Sequence, residues 1–314
     1  MKLEAWMKDL SDLVAEAAET DREHFLHLVD QAASLLSAEK ASSGELKIEG
    51  RLVRMPLSGE ATVIGDIHGD LDSLEHVLGE AEFIPRASKG KEAYLVFLGD
   101  YGDRGPHSPE VFHVVLSLKA IFPDRVVLLQ GNHEGPEDLL AHPHDLPYHL
   151  QRVFGAEWHA VYEKLSRLFR RFYTAVLVEK RCVMLHGGVP SEAKSLQDVA
   201  FAYEKHPAER HLEEILWSDP ADGIKGTYPS PRGAGKMFGE NVTDDFLRIL
   251  DVPFLVRGHE PTVEGFRINH SGKVLTLFSR KGPPYFNRYG AYLTLDLSAT
   301  FDSAWQLEPF VRRF

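Results

Sequence analysis

Five short apolar runs in this chain each end at glycine beside a residue that can ligate a metal. Ala61–Ile64 leads into Gly65-Asp66-Ile67-His68-Gly69-Asp70, and Tyr94–Leu98 leads into Gly99-Asp100-Tyr101-Gly102-Asp103-Arg104-Gly105. Val126–Leu129 precedes Gly131-Asn132-His133-Glu134, Cys182–Leu185 precedes His186-Gly187-Gly188, and Phe254–Val256 precedes Arg257-Gly258-His259-Glu260. Carboxylate and imidazole together suit borderline divalent metals such as Mn, Fe or Zn. Two such cations about 3.5–4 Å apart can share a carboxylate and a hydroxide, which is nucleophilic near neutral pH because the metals depress the pKa of bound water. In an extended segment the step from Asp66 to His68 places both side chains on one side. Taken singly, each residue has a plainer explanation. Asp after Gly is a common turn residue, a lone His is usually satisfied in the core or at the surface, and Arg104 or Arg257 alone would be a solvated charge. Five strand ends carrying the right groups in order are harder to explain that way.

The elements that must position these groups are legible as pattern. Runs of four to six β-branched or apolar residues predict buried strands. Helical periodicity fills the gaps at Leu71–Ala81, Pro109–Lys119 and Trp158–Phe172. The alternation predicts an α/β fold, with ligands collected beyond the carboxyl ends of the strands. Ahead of it, residues 1–40 predict a helical hairpin or broken helix. Its faces are Leu10, Leu13, Val14, Ala17, Ala18 and Phe25, Leu28, Val29, Ala32, Leu36, with a capping box at Thr20 to Glu23. Residues 1–45 are expected to be a helical extension and 46–314 one catalytic domain.

The 314 residues carry 35 Lys and Arg against 47 Asp and Glu, a net charge of −12, which argues against a nucleic-acid or anionic-lipid surface. The single cysteine, Cys182, excludes an intrachain disulfide and a cysteine-based zinc site, and it is expected to be a small buried hydrophobe. Acidic Glu4 and Asp9 interrupt any signal-like core, and no apolar run approaches the ~18 residues of a spanning helix. A cytoplasmic protein without membrane or nucleic-acid partners is the expectation.

The blocks GDIHGD, GDYGDRG, GNHE, HGG, Ile215-Leu216-Trp217-Ser218-Asp219-Pro220, Arg232-Gly233 and RGHE resemble, in order, the PPP-type metallophosphatases, whose best-known members are protein serine/threonine phosphatases. The resemblance covers roughly residues 50–296. It implies a metallophosphoesterase β-sandwich of mixed sheets flanked by helices, with a dimetal site at the carboxyl ends of the strands. It implies that Asp66, His68 and Asp100 hold one metal and that Asp100, Asn132, His186 and His259 hold the other, with Mn²⁺ the leading pair and Fe or Zn as alternatives. It further implies that His133 protonates the leaving oxygen and that Asp103 orients it and sustains its proton. Arg104 and Arg232 clamp the phosphate, with help from Asn132. The activity implied is hydrolysis of phosphoserine and phosphothreonine esters in proteins by a metal-bridging hydroxide, with a phosphoprotein or phosphopeptide as partner. Regulatory subunits are not indicated.

Some features depart from the family. Gln130 stands where eukaryotic members usually carry Arg, and Phe278 to Asn287 replaces a Cys-containing loop. These departures suggest a bacterial or archaeal member. In the replacement loop Tyr285 and Arg280 are candidate substrate contacts, and Arg280 with Lys281 could attract phosphate or an acidic peptide. His142, His144 and His149 in AHPHDLPYHL read as a solvated connector, Glu134 and Glu260 as structural neighbours of ligands, and Tyr101 and Trp217 as packing residues. The competing readings are a small-molecule phosphoesterase, such as a dinucleoside-polyphosphate hydrolase, and a metal-stabilised interaction module without activity.

Overall fold

A computed structural model describes residues 9–314; the first eight residues of the expected extension lie outside the described residues. Two mixed sheets form the body. In the five-stranded sheet, Glu60–Ile64, Ala93–Phe97 and Val126–Leu128 run parallel, and Ala291–Asp296 and Val311–Arg313 complete it antiparallel. At the centre of the eight-stranded sheet lie Ala175–Val178, Cys182–Leu185, Leu255–Arg257 and Val274–Leu277, the last three mutually parallel.

These strands are apolar throughout because both faces are covered. Period-two alternation divides the second sheet between two cores. Val176, Val178, Met184, Val256 and Leu275 join the core shared with the first sheet. Ala175, Leu177, Val183, Leu185 and Leu255 pack instead with residues of the helices His211–Trp217 and Glu240–Leu250. The sheets meet at their carboxyl ends through a parallel bridge between Asp66 and Phe278. The expected α/β sandwich of mixed sheets flanked by helices is therefore the observed fold, with the expected metal ligands at the junction.

The helix α1 (Leu10–Glu19) and the helix α2 (Arg22–Ala38) bury Leu13, Ala17, Phe25, Leu28, Val29, Ala32 and Leu36 in the core of the first sheet. They lie against the helix Ser108–Ile121, which is apolar on nearly every side and enclosed accordingly. The start of α2 differs from the predicted box. Asp21 is the cap, accepting from the His24 amide at 2.8 Å, while Thr20 ends α1. An Asp carboxylate is at least as good an N-cap as Thr, and one residue further on it stands in register with the first turn.

The end of α2 is tied down by charge. The buried Lys119 ammonium donates to Glu39 Oε1 at 2.7 Å and to the carbonyls of Pro123 and Val126 at 2.7 and 3.0 Å. Tyr173 Oη donates to Glu39 Oε2 at 2.6 Å, and its backbone carbonyl accepts from the Gln130 amide at 2.7 Å, next to the GNHE block. Burial pushes the Lys119 pKa down from its usual value, with Glu39 opposing. Removing one partner of a buried pair strands the other. Glu39→Ala is therefore expected to destabilise the fold by about 3–5 kcal/mol in urea unfolding. Adding Lys119→Met should recover most of the loss, and a double variant as unstable as the single would contradict this.

Candidate metal centre

Each expected ligand lies just beyond the carboxyl end of its strand. His68 Nδ1 donates to the Gly102 carbonyl (3.0 Å) and His186 Nδ1 to the Leu98 carbonyl (2.9 Å). These backbone partners fix the neutral tautomer, so each Nε2 carries a lone pair. His68 Nε2 faces Asp66 Oδ2 at 3.7 Å and Asp100 Oδ2 at 3.4 Å, and His186 Nε2 faces Asp100 Oδ1 at 3.4 Å. The Asn132 amide faces His186 Nε2 at 3.0 Å and His259 Nδ1 at 3.1 Å, with Asp100 also in reach. With its nitrogen turned inward the Asn132 amide donates to these groups, whereas between the two imidazoles and the carboxylates acceptors meet acceptors, and Asp66 Oδ2 is buried without a hydrogen-bond partner. Carboxylates and imidazoles arranged this way fit borderline divalent cations. The atoms of Asp100, His186 and His259, and those of His68, Asp100 and His133, are close enough to surround an ion.

Electrostatics agrees. Burial holds the Asp66 carboxyl up at about 7, with the His259 amide and Arg257 opposing. Burial, then Asp66 and Glu134, raises Asp100 well above the carboxylate range. Burial also pushes His68, His186 and His259 well below the usual imidazole value.

Local backbone makes the convergence possible. His68, Asp100, Asp103, Arg104 and His259 all have positive φ, between 46° and 71°, a strained conformation that concentrates at functional sites. The step from Asp66 to His68 is consequently not the extended segment expected. The Ile67 and His68 amides both donate to the Asp100 carbonyl, and this turn brings the two side chains together. A Cβ on Gly131 would lie 2.1 Å from Asp100 Oδ1, and one on Gly258 would lie 2.4 Å from Asp66 Oδ1. Only glycine leaves room for those carboxylates. Glu134 staples the turn, accepting from the amides of Asp100 (2.9 Å), Tyr101 (3.0 Å) and Gly131 (3.2 Å).

Beside the ligands, His133 Nδ1 meets Asp103 Oδ2 at 2.5 Å. Burial would raise Asp103, but hydrogen bonds from His133 and His144 outweigh it and hold the carboxyl well below its usual range. Asp103 does raise the His133 pKa, as expected, but the net shift is downward and the expectation that the pair sustains the proton requires correction. Burial is the larger influence and lowers it, and His144 shares the same carboxylate oxygen at 2.7 Å. His144 is thus no part of a solvated connector; His142 and His144 sit within the site's surroundings.

Arg104 and Arg232 both line a cavity of about 560 Å³ together with Asp100, Asn132, His133 and His259. Arg104 donates to the Pro143 carbonyl at 2.7 Å. Arg232 lies in the turn of a small hairpin, Thr227–Pro229 with Lys236–Phe238, and its Nε donates to Asp219 Oδ2 at 2.6 Å. Asp219 also accepts from fully buried Arg257 at 2.9 Å. Its anchoring role went unassigned, although it stands in the quoted WSDP block. Tyr285 reaches the cavity and stacks on His68 with ring centroids 5.5 Å apart. Arg280 does not. It is buried, donating to the carbonyls of His68 (2.9 Å) and Pro283. Both its terminal nitrogens are taken by backbone carbonyls while Nε is buried without a partner, so in this structure it braces the loop and does not reach the cavity. Trp217 Nε1 donates to the Leu139 carbonyl at 2.8 Å and Tyr101 Oη to that of Leu129 at 2.9 Å, as packing residues with satisfied polar ends.

Two outcomes follow from this geometry. Asp66 keeps its proton to about pH 7 in the fold, against a usual value of 3.8. Below that pH a cation must displace the proton. Mn²⁺ should therefore raise the melting temperature of chelator-treated protein more at about pH 8 than at about pH 5.5. Equal shifts in scanning calorimetry would contradict it. Asp100→Asn should lower the metal content per chain in elemental analysis, because Asp100 alone faces both His68 and His186; undiminished content would remove it from the ligand set.

Residues 61–263 match the calcineurin-like phosphoesterase family, and the chain belongs to that family. A probable serine/threonine-protein phosphatase of Encephalitozoon cuniculi (strain GB-M1) is 34% identical over 271 residues, 83% of this chain and 56% of that protein. The chain thus spans about half the length of that relative. A protein serine/threonine phosphatase of Saccharomyces cerevisiae with similarity to human phosphatase PP5 shares the fold at TM-score 0.71 and 21% identity, over 94% of this chain and 89% of that one. A cold-active protein-tyrosine phosphatase of a psychrophilic Shewanella species does so at TM-score 0.56 and 20% identity, over 82% and 81%. No helix among the described residues is long and apolar enough to cross a membrane.

Proposed function

Taking the chain as a calcineurin-like phosphoesterase, we propose that it is a metal-dependent protein phosphatase acting on phosphoserine and phosphothreonine esters. The observation that carries this reading is the His133–Asp103 pair at the edge of a cavity that also presents two arginines and the cluster of lone pairs. The name of the Encephalitozoon cuniculi relative supports the substrate class. Asp66, His68, Asp100, Asn132, His186 and His259 would hold two divalent ions, with manganese the leading choice. When bound, those ions would supply the Lewis acidity that lets water attack phosphorus near neutral pH.

The remaining chemistry belongs to side chains. A guanidinium is a planar fork matched to two phosphate oxygens, so Arg104 and Arg232 hold and orient the phosphoryl group. An alkoxide leaving from Ser or Thr is a poor leaving group and needs a proton as its bond to phosphorus breaks. His133 gives that proton from Nε2 as the imidazolium, its Nδ1–H held by Asp103, whose charge opposes the burial that disfavours this form. Tyr285 closes one side of the cavity over His68.

With Mn²⁺, turnover of a phosphothreonine peptide should exceed that of diadenosine tetraphosphate at equal concentration. Preference for the dinucleotide would replace this reading with a small-molecule phosphoesterase. His133→Ala should keep its metal and lose about 10²- to 10⁴-fold in kcat on the peptide; unchanged turnover would show that the proton comes from elsewhere.

A further inference from the structure

The loop that follows the Asn132-His133 turn carries His142-Pro143-His144-Asp145, and its second histidine is enclosed, with a side chain only 10% exposed. His144 Nδ1 lies 2.7 Å from Asp103 Oδ2, the oxygen that His133 Nδ1 meets at 2.5 Å. His144 Nε2 lies 3.0 Å from the hydroxyl of Tyr162, on the helix Trp158–Phe169. An ionised carboxylate only accepts, so His144 presents Nδ1–H to Asp103. In the neutral ring Nε2 is then an acceptor, and the Tyr162 hydroxyl donates to it. The same loop supplies the Leu146 amide to Asp103 Oδ1 at 2.5 Å. It also holds Arg104, through Asp145 on its amide (3.3 Å) and the Pro143 carbonyl on its guanidinium (2.7 Å).

Asp103 is therefore gripped on both oxygens by groups outside its own turn. We propose that His144, fixed by Tyr162, is a positioning residue that sets the Asp103 carboxylate and thereby aims His133 at the leaving oxygen. This rests on His133 being the proton donor. His144 does not line the cavity that holds Arg104 and Arg232, so it reaches the reaction only through Asp103. It lines an adjoining cavity of about 640 Å³ that shares His133, Leu140 and His142 with the first and adds Tyr162, Ser166 and Arg167. Without the imidazole, Asp103 Oδ2 would lose one of its two side-chain donors and face that cavity, free to rotate and to take up water.

A misaimed proton donor matters in proportion to how badly the leaving group needs a proton, and this separates positioning from scaffolding. The Mn²⁺-loaded protein would be assayed on a phosphothreonine peptide and on 4-nitrophenyl phosphate, whose leaving group departs readily unprotonated. His144→Ala should lower kcat on the peptide by about tenfold with KM nearly unchanged, and affect 4-nitrophenyl phosphate far less. His144→Asn, whose amide can place an N–H where Nδ1–H was, should recover most of the loss. Tyr162→Phe removes one hydroxyl and should give the same leaving-group dependence at about threefold; it decides the matter if His144→Ala does not fold. Equal losses on both substrates, or no rescue by Asn, would overturn the proposal. His133→Ala separates the two ways of failing. If its loss depends on the leaving group and that of the His144 and Tyr162 variants does not, positioning by His144 falls alone. If His133→Ala is itself indifferent to the leaving group, proton donation by His133 falls and takes this proposal with it.

Discussion

Asp66 and Asp100 lie buried side by side, facing imidazole lone pairs instead of protons, and the surrounding chain is organised around the free energy this costs. Two backbone amides offset part of it: the His259 amide donates to Asp66 at 2.8 Å and the His133 amide to Asp100 at 3.1 Å. Those amides point inward because the chain leaves strand geometry abruptly at the ligands, with Asp100 and His259 in left-handed conformation. Such strain persists only where the surroundings over-determine it. Here Glu134, itself a buried carboxylate, collects the amides of the turn. Burial without a cation favours the protonated acid. In the metal-free state the site thus keeps buried acids at a cost to folding, which a divalent ion held there would relieve.

The junction of the two sheets turns this local strain into a rigid constellation. The Gly65 amide donates to the Ser279 hydroxyl at 2.7 Å, and that hydroxyl donates to the Ala291 carbonyl at 2.6 Å. Both sheets therefore share one buried hydroxyl a residue away from the first ligand. Arg280 extends the seam by capping the His68 carbonyl. The base of the loop that differs from the family pattern is structural, and only its tip, with Tyr285 at the cavity and Phe286 at 79% exposure, is open to a partner.

What could be read from sequence divides along physical lines. The strands were legible because burial on both faces demands unbroken apolar runs, and the predicted ends fall within a residue of those observed. The ligands were legible because they follow those ends in a fixed order, flanked by glycines that close packing requires. What stayed hidden depends on partners distant in the chain. His144 meets Asp103 across 41 positions and Tyr162 across 18, and nothing in the Pro-containing segment distinguishes it from its neighbour His142. Arg280 looked like a surface cation because its two carbonyl partners belong to the folded seam. The hairpin bearing Arg232 pairs an exposed strand, Thr227–Pro229, with a three-residue strand buried only at Phe238, too short for a periodicity to announce it. Asp21 displaced Thr20 as a cap through a one-residue shift that local propensity does not resolve.

In a protein of net charge −12 the cavity still presents two arginines, and their anchors show how they keep their charge. Arg257 and Arg232 share a single carboxylate, Asp219, at 2.9 and 2.6 Å. Buried Arg257 also takes Glu260 at 2.8 Å and the carbonyls of Gly187 and Ser218. Arg232 is therefore held by a charge that is already partly spent. The Arg104 guanidinium is gripped mainly by neutral carbonyls, with the Asp145 carboxylate no closer to it than 3.8 Å. Carbonyl acceptors fix a guanidinium in place without cancelling its charge. Both forks thus keep attraction for an anion in a fixed orientation, because each is anchored by a different loop.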